Sequence, residues 1–222
     1  MLSCRSLRKD YLTERGGVVA VAGIDLEVAA GRFAAIIGRS GSGKSSLMAM
    51  VGGLSRPSKG QVMVDGIDIW GLPENALAAF RNRRIGYIFQ FASLLSTLRL
   101  IDNVALPAML GRDRAATEIY ARASALLAQL GLGDHLDAYP SEVSAGEQRR
   151  AAIARALIND PAVILADEPT SDLDEQTEIE IMDELMALNR ERGTTLILVT
   201  HNLALAEQAE QIIHIANGVI VE

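Results

Sequence analysis

The chain has very little cysteine and no cluster of metal-binding side chains. Its 222 residues include one cysteine, Cys4, which has no partner for an internal disulfide bond. A disulfide-stabilised fold is therefore excluded, and a single thiol is compatible with a reducing compartment. The sequence also lacks the spaced cysteines and histidines that would indicate a structural zinc site.

Long apolar runs and long basic runs are absent as well. No uncharged apolar stretch reaches the ~18–20 residues that a membrane helix needs, and residues 1–14 lack the apolar core of a secretory signal. The 21 Lys and Arg residues are outnumbered by 28 Asp and Glu residues, giving a formal charge of −7. We therefore expect a soluble, cytoplasmic polypeptide with no nucleic-acid partner, whose membrane role comes through another protein.

Three short apolar runs indicate the core of an α/β fold. The runs Phe33–Ile37, Val163–Ala166 and Leu196–Thr200 are typical of buried parallel strands. Polar residues follow each run, as expected where a ligand binds beyond the carboxyl ends of the strands. Residues 18–28 and 60–68 alternate more and predict an antiparallel β element beside the mostly parallel sheet.

The middle of the chain has the spacing of helices. One apolar face repeats at three and four residues, with Asp113 as a candidate cap at the start of the helix and Gly131 at its end. The face consists of Ile119, Ala123, Leu126, Leu127 and Leu130. We expect a single domain over residues 1–222, with a nucleotide-binding core at 1–90 and 160–222 and an inserted helical subdomain at 91–159.

A phosphate-binding loop follows the first predicted parallel strand. The segment 38–45 matches G-x-x-x-x-G-K-[ST] at every fixed position and lies between a predicted strand and a predicted helix. Its glycines let backbone N–H groups surround phosphate oxygens, Lys44 can reach the outer phosphates, and the Ser45 hydroxyl suits Mg²⁺. The candidate ATP-binding residues here are Gly38, Arg39, Ser40, Gly41, Ser42, Gly43, Lys44, Ser45 and Ser46.

Two acids end the second predicted strand. Asp167 is positioned to hold Mg²⁺, directly or through water, and Glu168 to polarise an attacking water. Acids at a strand end can also serve only solubility, but the phosphate loop on the same chain favours the catalytic interpretation. The sequence thus predicts a P-loop protein that binds a nucleoside triphosphate together with Mg²⁺.

A third motif makes the resemblance to a family specific. The segments 38–45, 143–148 and 166–170 together resemble the nucleotide-binding subunits of ABC transporters, in that family's order and over essentially the whole chain. The resemblance implies a dimer that holds two ATP molecules, with the 143–148 signature of one subunit meeting the phosphate loop of the other. The signature residues that it assigns to ATP binding are Ser144, Gly146, Glu147 and Gln148. Ser144 and Glu147 also fit an ordinary helix capping box.

The resemblance further implies roles for polar residues near the strand ends. Gln90 matches a glutamine that senses Mg²⁺ and the γ-phosphate, and His201 matches a histidine that contacts the γ-phosphate, so both join Lys44 and Glu168 as catalytic candidates. Tyr11 matches the aromatic residue that stacks on adenine, although Phe33 and a packing role for Tyr11 compete with this assignment. The loop that crosses between subunits matches Ser171, Asp172 and Asp174, the last of which also suits a helix N-cap.

The segments 89–95 and 102–107 are similar to one branch of the family, which contains macrolide-efflux, lipoprotein-release and cell-division ATPases. The expected partners are a second copy of the chain, an integral membrane permease docking at 91–107 and a periplasmic adaptor. The expected location is the inner face of the cell membrane, through the permease. A regulatory ATPase that signals to cell-wall enzymes is the alternative. Ala145 and Val143 depart from the glycine and leucine usual in the signature, and the Ala145 methyl group could crowd a phosphate or require a different backbone angle.

Overall fold

The computed structural model describes residues 1–13, 16–111 and 113–221. The described residues form ten strands and seven α-helices in a mixed α/β arrangement. The strands are β1 (Leu2–Thr13), β2 (Gly16–Val28), β3 (Phe33–Ile37), β4 (Lys59–Val64), β5 (Ile67–Asp68), β6 (Ile85–Ile88), β7 (Val163–Asp167), β8 (Thr195–Val199), β9 (Gln211–Ala216) and β10 (Val219–Val221). The helices are α1 (Lys44–Val51), α2 (Glu74–Arg84), α3 (Leu100–Gly111), α4 (Ala116–Gln129), α5 (Ala145–Leu157), α6 (Glu175–Arg192) and α7 (Leu203–Ala206).

A six-stranded sheet with the order β10-β9-β3-β8-β7-β6 forms the centre of the molecule. The five strands from β9 to β6 are mutually parallel, and β10 pairs antiparallel with β9. All residues of β3 and β8 are buried, because helices and the second sheet cover both faces. The three predicted parallel strands are confirmed within one residue at their ends.

The register of the central sheet brings three loops to one edge. Ile36 pairs with Val199, which in turn pairs with Asp167, so β3, β8 and β7 end at the same level. The phosphate loop follows β3, the Asp167–Glu168 pair ends β7, and His201 follows β8. Residues that are far apart in the sequence therefore share the carboxyl edge of the sheet, where ligands bind in open α/β folds.

The predicted antiparallel element is confirmed as a separate four-stranded sheet with the order β2-β1-β4-β5. The β4–β5 hairpin turns at Asp65 and Gly66, which both have positive φ angles, 49° and 78°. Two positive φ angles in a two-residue turn define the type I′ geometry that matches the twist of the strands.

Helices α3, α4 and α5 occupy the region that was expected to be helical. The apolar face of α4 is buried as predicted. Gly131 has a φ angle of 74° and its N–H donates to Ala128, so it ends α4 as expected. The prediction for Asp113 was wrong, because α4 begins after Ala115 and the Asp113 carboxylate instead accepts two hydrogen bonds from Arg83.

Two apolar cores lie on opposite faces of the central sheet. One contains α3, α4, α5 and α6 packed against one face, and the other contains α1 and the antiparallel sheet packed against the opposite face. The inserted helices thus share a continuous core with the sheet. Within the described ranges, no helix is long and apolar enough to cross a membrane.

Candidate active site

A polar cleft of about 470 Å³ opens at the carboxyl edge of the central sheet. It collects side chains and backbone from the phosphate loop, from the loop after β6 and from the ends of β7 and β8. The lining residues are Ala20, Gly38, Ser40, Gly41, Gly43, Lys44, Ser45, Ser46, Gln90, Glu168 and His201.

Two glycines allow the phosphate loop to pack against neighbouring strands. A Cβ atom on Gly38 would lie 2.2 Å from the Ile215 carbonyl oxygen, and one on Gly43 would lie 2.3 Å from the Ala20 carbonyl oxygen. Neither position can carry a side chain without moving backbone. The loop is held further by a hydrogen bond of 2.9 Å from the Gly218 N–H to the Ser42 carbonyl.

Lys44 and the start of α1 form the cationic part of the cleft. The Lys44 Nζ atom donates to the carbonyls of Gly38 (2.7 Å) and Arg39 (3.0 Å), which fold the side chain back over the loop. Gly43 precedes the helix and supplies no side-chain cap, so the first N–H groups of α1 remain available to an anion. This arrangement fits the phosphates of a nucleotide.

Ser45 and Asp167 provide oxygen atoms suited to Mg²⁺. Burial raises the pKa of Asp167, and the Glu168 charge adds to this, while a hydrogen bond with Ser45 and the Lys44 charge oppose it. No group of three or more His, Cys, Asp or Glu side chains forms a metal cluster within the described residues. Mg²⁺ does not need such a cluster, because it keeps several waters and binds one or two protein groups together with phosphates.

Glu168 and His201 face each other across the cleft. The His201 Nδ1 atom lies 3.2 Å from Glu168 Oε2. Glu168 has a φ angle of 45°, which is uncommon for a residue with a side chain, and its N–H donates to the Val199 carbonyl. Such backbone strain, about 1–3 kcal/mol, persists where the surrounding structure fixes it, and it is frequent in active sites.

Glu178 of α6 links the loops that carry these two residues, and no sequence pattern predicts this role. Its carboxylate accepts a hydrogen bond of 2.7 Å from the Thr170 hydroxyl and one of 3.0 Å from the Asn202 side-chain amide. Thr170 follows Glu168 by two residues, and Asn202 follows His201. One carboxylate thus connects the two loops that carry the candidate catalytic side chains.

Gln90 and Ser171 lie next to each other at the side of the cleft. The Gln90 Nε2 atom is 3.5 Å from the Ser171 hydroxyl, at the outer limit of a hydrogen bond. Asp174 caps α6, since its carboxylate accepts from the N–H (3.0 Å) and the hydroxyl (2.7 Å) of Thr177. The N-cap interpretation of Asp174 is therefore confirmed, and it is compatible with a place at a subunit contact.

Three of the predicted nucleotide-binding residues lie beside the cleft rather than in its lining. The Tyr11 hydroxyl is 3.5 Å from the hydroxyl of Ser46, and the Lys9 ammonium group lies 5.0 Å from the Tyr11 ring centre. Arg39 contributes its carbonyl to Lys44, and the Ser42 hydroxyl is buried with no hydrogen-bond partner in the described part of the chain.

The signature residues form the start of α5 and do not line the cleft of their own chain, as far as the described residues show. Ser144 is the N-cap: its hydroxyl accepts from the Glu147 N–H, and the Glu147 carboxylate accepts from the Ser144 N–H at 2.7 Å. This is the predicted capping box. The Gln148 side chain donates to the carbonyls of Pro140 and Val143.

Arg149 is a buried charged residue that the sequence analysis missed. Its guanidinium group donates to the carbonyls of Phe89 and Gln90 and to the Asp172 carboxylate. The signal in the sequence was an arginine on the apolar face of a helix, between Gln148 and the alanines that follow. Because Arg150 lies beside it, the sequence alone did not distinguish the buried arginine from the surface one.

The fold and the cleft together define an ATPase of the P-loop class, with a phosphate loop after one strand and an acid pair after another. A family model described as ABC transporter matches residues 21–171, which is more than half of the chain. The chain therefore belongs to the ABC transporter family of ATPases. ATP and Mg²⁺ are the cofactors of this class, and Lys44, Ser45 and Asp167 fit them.

Individual relatives agree with this membership. The lipoprotein-releasing system ATP-binding protein LolD of Syntrophus aciditrophicus is 42% identical over 223 residues, covering 100% of this chain and 99% of that protein. The macrolide export ATP-binding/permease protein MacB 1 of Aeromonas hydrophila is 47% identical over 221 residues, covering 100% of this chain and 34% of that protein. The ATP-binding cassette MJ0796, solved as a dimer in a post-hydrolysis state with ADP and Pi, superimposes with a TM-score of 0.93 at 35% identity, covering 100% of this chain and 97% of that one.

Proposed function

We propose that two copies of this chain close around two ATP molecules and that their closing and opening drives a membrane permease of the lipoprotein-release or macrolide-export type. One observation carries the proposal: the capped start of α5 lies outside the cleft of its own chain. A signature that binds phosphate must then meet a cleft on a second copy. The dimeric cassette MJ0796 and the relatives named LolD and MacB support this arrangement.

Each side chain has a defined task in this proposal. Lys44 and the N–H groups at the start of α1 hold the phosphates, and Ser45, Asp167 and Gln90 hold Mg²⁺. Mg²⁺ would neutralise charge on the phosphates. Glu168 accepts a proton from the attacking water, a contribution typically worth ~10²–10⁴-fold. His201 orients the Glu168 carboxylate and contacts the γ-phosphate.

The partner subunit supplies the remaining groups. Ser144 lies at the start of α5, where the N–H groups that the capping box does not use suit an anion. Gly146, Glu147 and Gln148 shape this end of the helix, and Asp174 caps the start of α6. Tyr11 lies beside Ser46 at the edge of the cleft, where it would stack on adenine.

ATP-dependent dimerisation is tested with Glu168→Gln, which blocks turnover and retains the bound nucleotide. Light scattering after gel filtration should show a dimer with ATP and a monomer without it. Ser144→Arg in the same background is the matched control: ATP still binds to the monomer, because the phosphate loop is untouched, but the dimer does not form. A Glu168→Gln chain that stays monomeric with saturating ATP would remove the proposal.

We propose that the permease docks on the surface formed by α2, α3 and the loop after β6. A groove of about 530 Å³ runs there, with Tyr87, Pro107 and Leu110 among its lining residues. Phe91 is 65% exposed and Leu110 is 69% exposed, so an apolar surface borders the groove. This extends the predicted docking segment 91–107 to the end of α3. The chain would then lie on the inner face of the cell membrane, attached to its permease, and a periplasmic adaptor would join on the other side.

Copurification from native membranes tests the docking surface. Leu110→Asp should reduce recovery of the integral membrane subunit at least ~10-fold, because an apolar contact is replaced by a charge, while the soluble ATP-dependent dimer remains. Ile67→Asp, at an apolar position exposed on β5, is the matched control and should leave recovery unchanged. Equal recovery with both variants would place the permease elsewhere.

A further inference from the structure

Arg149 is the largest of the fully buried side chains in the described part of the molecule. Only 1% of the residue is exposed, although it carries a positive charge. Burial lowers the pKa of its guanidinium group, and the Asp172 carboxylate counteracts this effect. An arginine keeps its proton even so, so a full charge lies inside the fold.

The contacts of Arg149 join three segments that meet at the cleft. Nη1 donates to the Phe89 carbonyl at 2.7 Å, and Nη2 donates to the Gln90 carbonyl at 2.7 Å and to Asp172 Oδ1 at 2.6 Å. Arg149 lies five residues after Ser144, in the first half of α5. One guanidinium group thus connects the signature helix, the backbone of Gln90 and the turn that precedes α6.

A second arginine of α5 also binds the loop after β6, but at a different place. Arg155 donates to the carbonyls of Ser93 (2.7 Å) and Ala92 (2.9 Å), further along the same loop. Arg155 therefore holds the distal part of the loop to α5 without touching Gln90 or the turn before α6. Of these two arginines, only Arg149 contacts both Gln90 and the turn before α6.

Stability does not explain why a charge is buried at this position. A buried ion pair contributes little net stability, and apolar side chains of similar volume often replace such pairs without loss. An apolar side chain cannot donate hydrogen bonds to two carbonyls and a carboxylate at once, as Arg149 does. The planar fork of arginine suits that task. The contacts are therefore suited to orientation.

We propose that Arg149 is a positioning residue for ATP hydrolysis, which holds Gln90 and the 171–174 turn at a fixed distance from the signature helix. Gln90 serves the cleft of its own chain, while Ser144 and the turn serve the partner's cleft. Arg149 thereby couples the two sites of the ATP-bound dimer. This inference rests on the proposed function, since only in a dimer do the three segments belong to two different sites.

The direct test is the variant Arg149→Gln, with Arg122→Gln as the matched control. Arg122 also donates to a carbonyl and to a carboxylate, those of Ile158 and Asp160, but it lies away from the cleft. We expect Arg149→Gln to lower kcat at least ~10-fold while the KM for ATP changes less than ~3-fold, because the phosphate-loop contacts are intact. Arg122→Gln should lower thermal stability and leave kcat within ~2-fold.

Asp172 allows a second test of the proposal that does not require the replacement of a buried residue. Its side chain is 42% exposed, so Asp172→Asn should fold. Asp172→Asn alone leaves the guanidinium charge without a carboxylate and should lower kcat. In the double variant Arg149→Gln/Asp172→Asn no charge is left unpaired, and kcat should fall by less than the product of the two single effects. Strictly multiplicative effects would overturn the proposed coupling.

Hydrogen exchange in the nucleotide-free protein tests the positioning itself. Arg149→Gln should raise exchange at 89–93 and 170–174 and leave β8 unchanged. If the wild type hydrolyses ATP and dimerises, unaltered exchange in Arg149→Gln would overturn the proposal for Arg149. A kcat of Arg149→Gln within ~2-fold of the wild type would overturn it as well. A wild-type chain that does neither would overturn the proposed function, whatever Arg149→Gln shows.

Discussion

The Nδ1 atom of His201 lies 3.2 Å from the Oε2 atom of Glu168, although the two residues are 33 positions apart. The adjacency follows from the sheet, because β7 and β8 are neighbouring parallel strands that end at the same level. The positive φ of Glu168 turns its side chain from the strand into the cleft, where His201 can contact it.

Replacement of Glu168 by Gln should nearly abolish hydrolysis and leave ATP affinity within ~3-fold. The amide keeps the size of the side chain but cannot accept the proton of the attacking water. Turnover of radiolabelled ATP and equilibrium binding of the same nucleotide measure the two effects. Turnover near the wild-type rate would show that Glu168 is not the base.

Replacement of Lys44 by Ala should weaken ATP binding at least ~10-fold. The variant loses the ammonium group that lies over the phosphate loop, and the carbonyls of Gly38 and Arg39 lose their donor. Titration calorimetry with ATP measures the change. As a control, Lys59→Ala removes an exposed lysine at the start of β4 and should bind ATP normally. Equal affinity in Lys44→Ala and the wild type would undermine the phosphate-loop assignment.

Asp167→Asn should stabilise the nucleotide-free protein at neutral pH. The same change should reduce the stabilisation that Mg²⁺ gives to the ATP-bound protein. The folded-state pKa of Asp167 is raised above 3.8, mainly by burial, so the folded chain binds this proton more tightly than the unfolded chain. The contribution of Asp167 to the free energy of unfolding therefore falls as the pH rises from the unfolded-state pKa to the folded-state pKa. Above the folded-state pKa the full loss of stability is present.

Thermal unfolding at two pH values checks the sign. At pH ~7 Asp167→Asn should unfold at a higher temperature than the wild type, and the difference should shrink as the pH is lowered to ~4, because the folded wild-type chain then takes up the Asp167 proton. With ATP present, Mg²⁺ should raise the unfolding temperature of the wild type more than that of the variant. A variant that is less stable at pH ~7 and unchanged at pH ~4 would contradict the burial effect.

Glu178→Ala should lower kcat with little change in ATP affinity. The carboxylate that joins Thr170 to Asn202 is lost, so the loops carrying Glu168 and His201 are no longer tied together. Glu178→Gln is the informative companion: it retains one acceptor and should fall between Ala and the wild type. Steady-state kinetics distinguishes these outcomes, and equal kcat for all three chains would show that the link is not needed.

The two small residues of the signature differ in their surroundings. A Cβ atom on Gly146 would lie 2.8 Å from the Thr177 Cγ2 atom, whose orientation is fixed by the bonds of Thr177 to Asp174. Gly146→Ala should therefore disturb the start of α6 and lower both stability and kcat. Ala145 is exposed and adopts helical geometry, so a special backbone angle is not required there.

Ala145→Gly tests whether the methyl group crowds the incoming phosphate. The change should lower the free energy of unfolding by about 0.5–1 kcal/mol, because glycine loses more backbone freedom in a helix. If the methyl group slows hydrolysis, kcat should rise despite the lower stability. Urea unfolding and turnover measure the two effects separately, and an unchanged kcat would show that Ala145 is tolerated at the shared site.

Local patterns were sufficient for much of the fold. The apolar runs of β3, β7 and β8 are recognisable because strands buried on both faces are apolar along their whole length. The Asp65–Gly66 turn and the apolar face of α4 are equally local signals. Asp113 was misassigned because its preference for a helix cap competes with the Arg83 ion pair, which depends on the tertiary fold.

The candidate site likewise contains some residues that local sequence predicts and others that only tertiary contacts identify. The phosphate loop is a contiguous segment whose chemistry can be recognised from eight residues, and the acid pair directly follows an apolar strand. Glu178 and Arg149 carry no comparable signal, since each acts through contacts with loops that are distant in the sequence. A charged residue on a helix is usually solvated, and only the contacts of α5 with the loop after β6 identify Arg149 as buried.

The sequence by itself determined the class of chemistry, because the phosphate loop, the acid pair and the signature are short segments whose residue types fix what they bind. The tertiary structure decided which residues share a site. Sheet register brought Asp167, Glu168 and His201 to one edge, whereas the direction of α5 kept Ser144 away from that cleft. Register and helix packing arise from long-range contacts, and those contacts have no local signature in the chain.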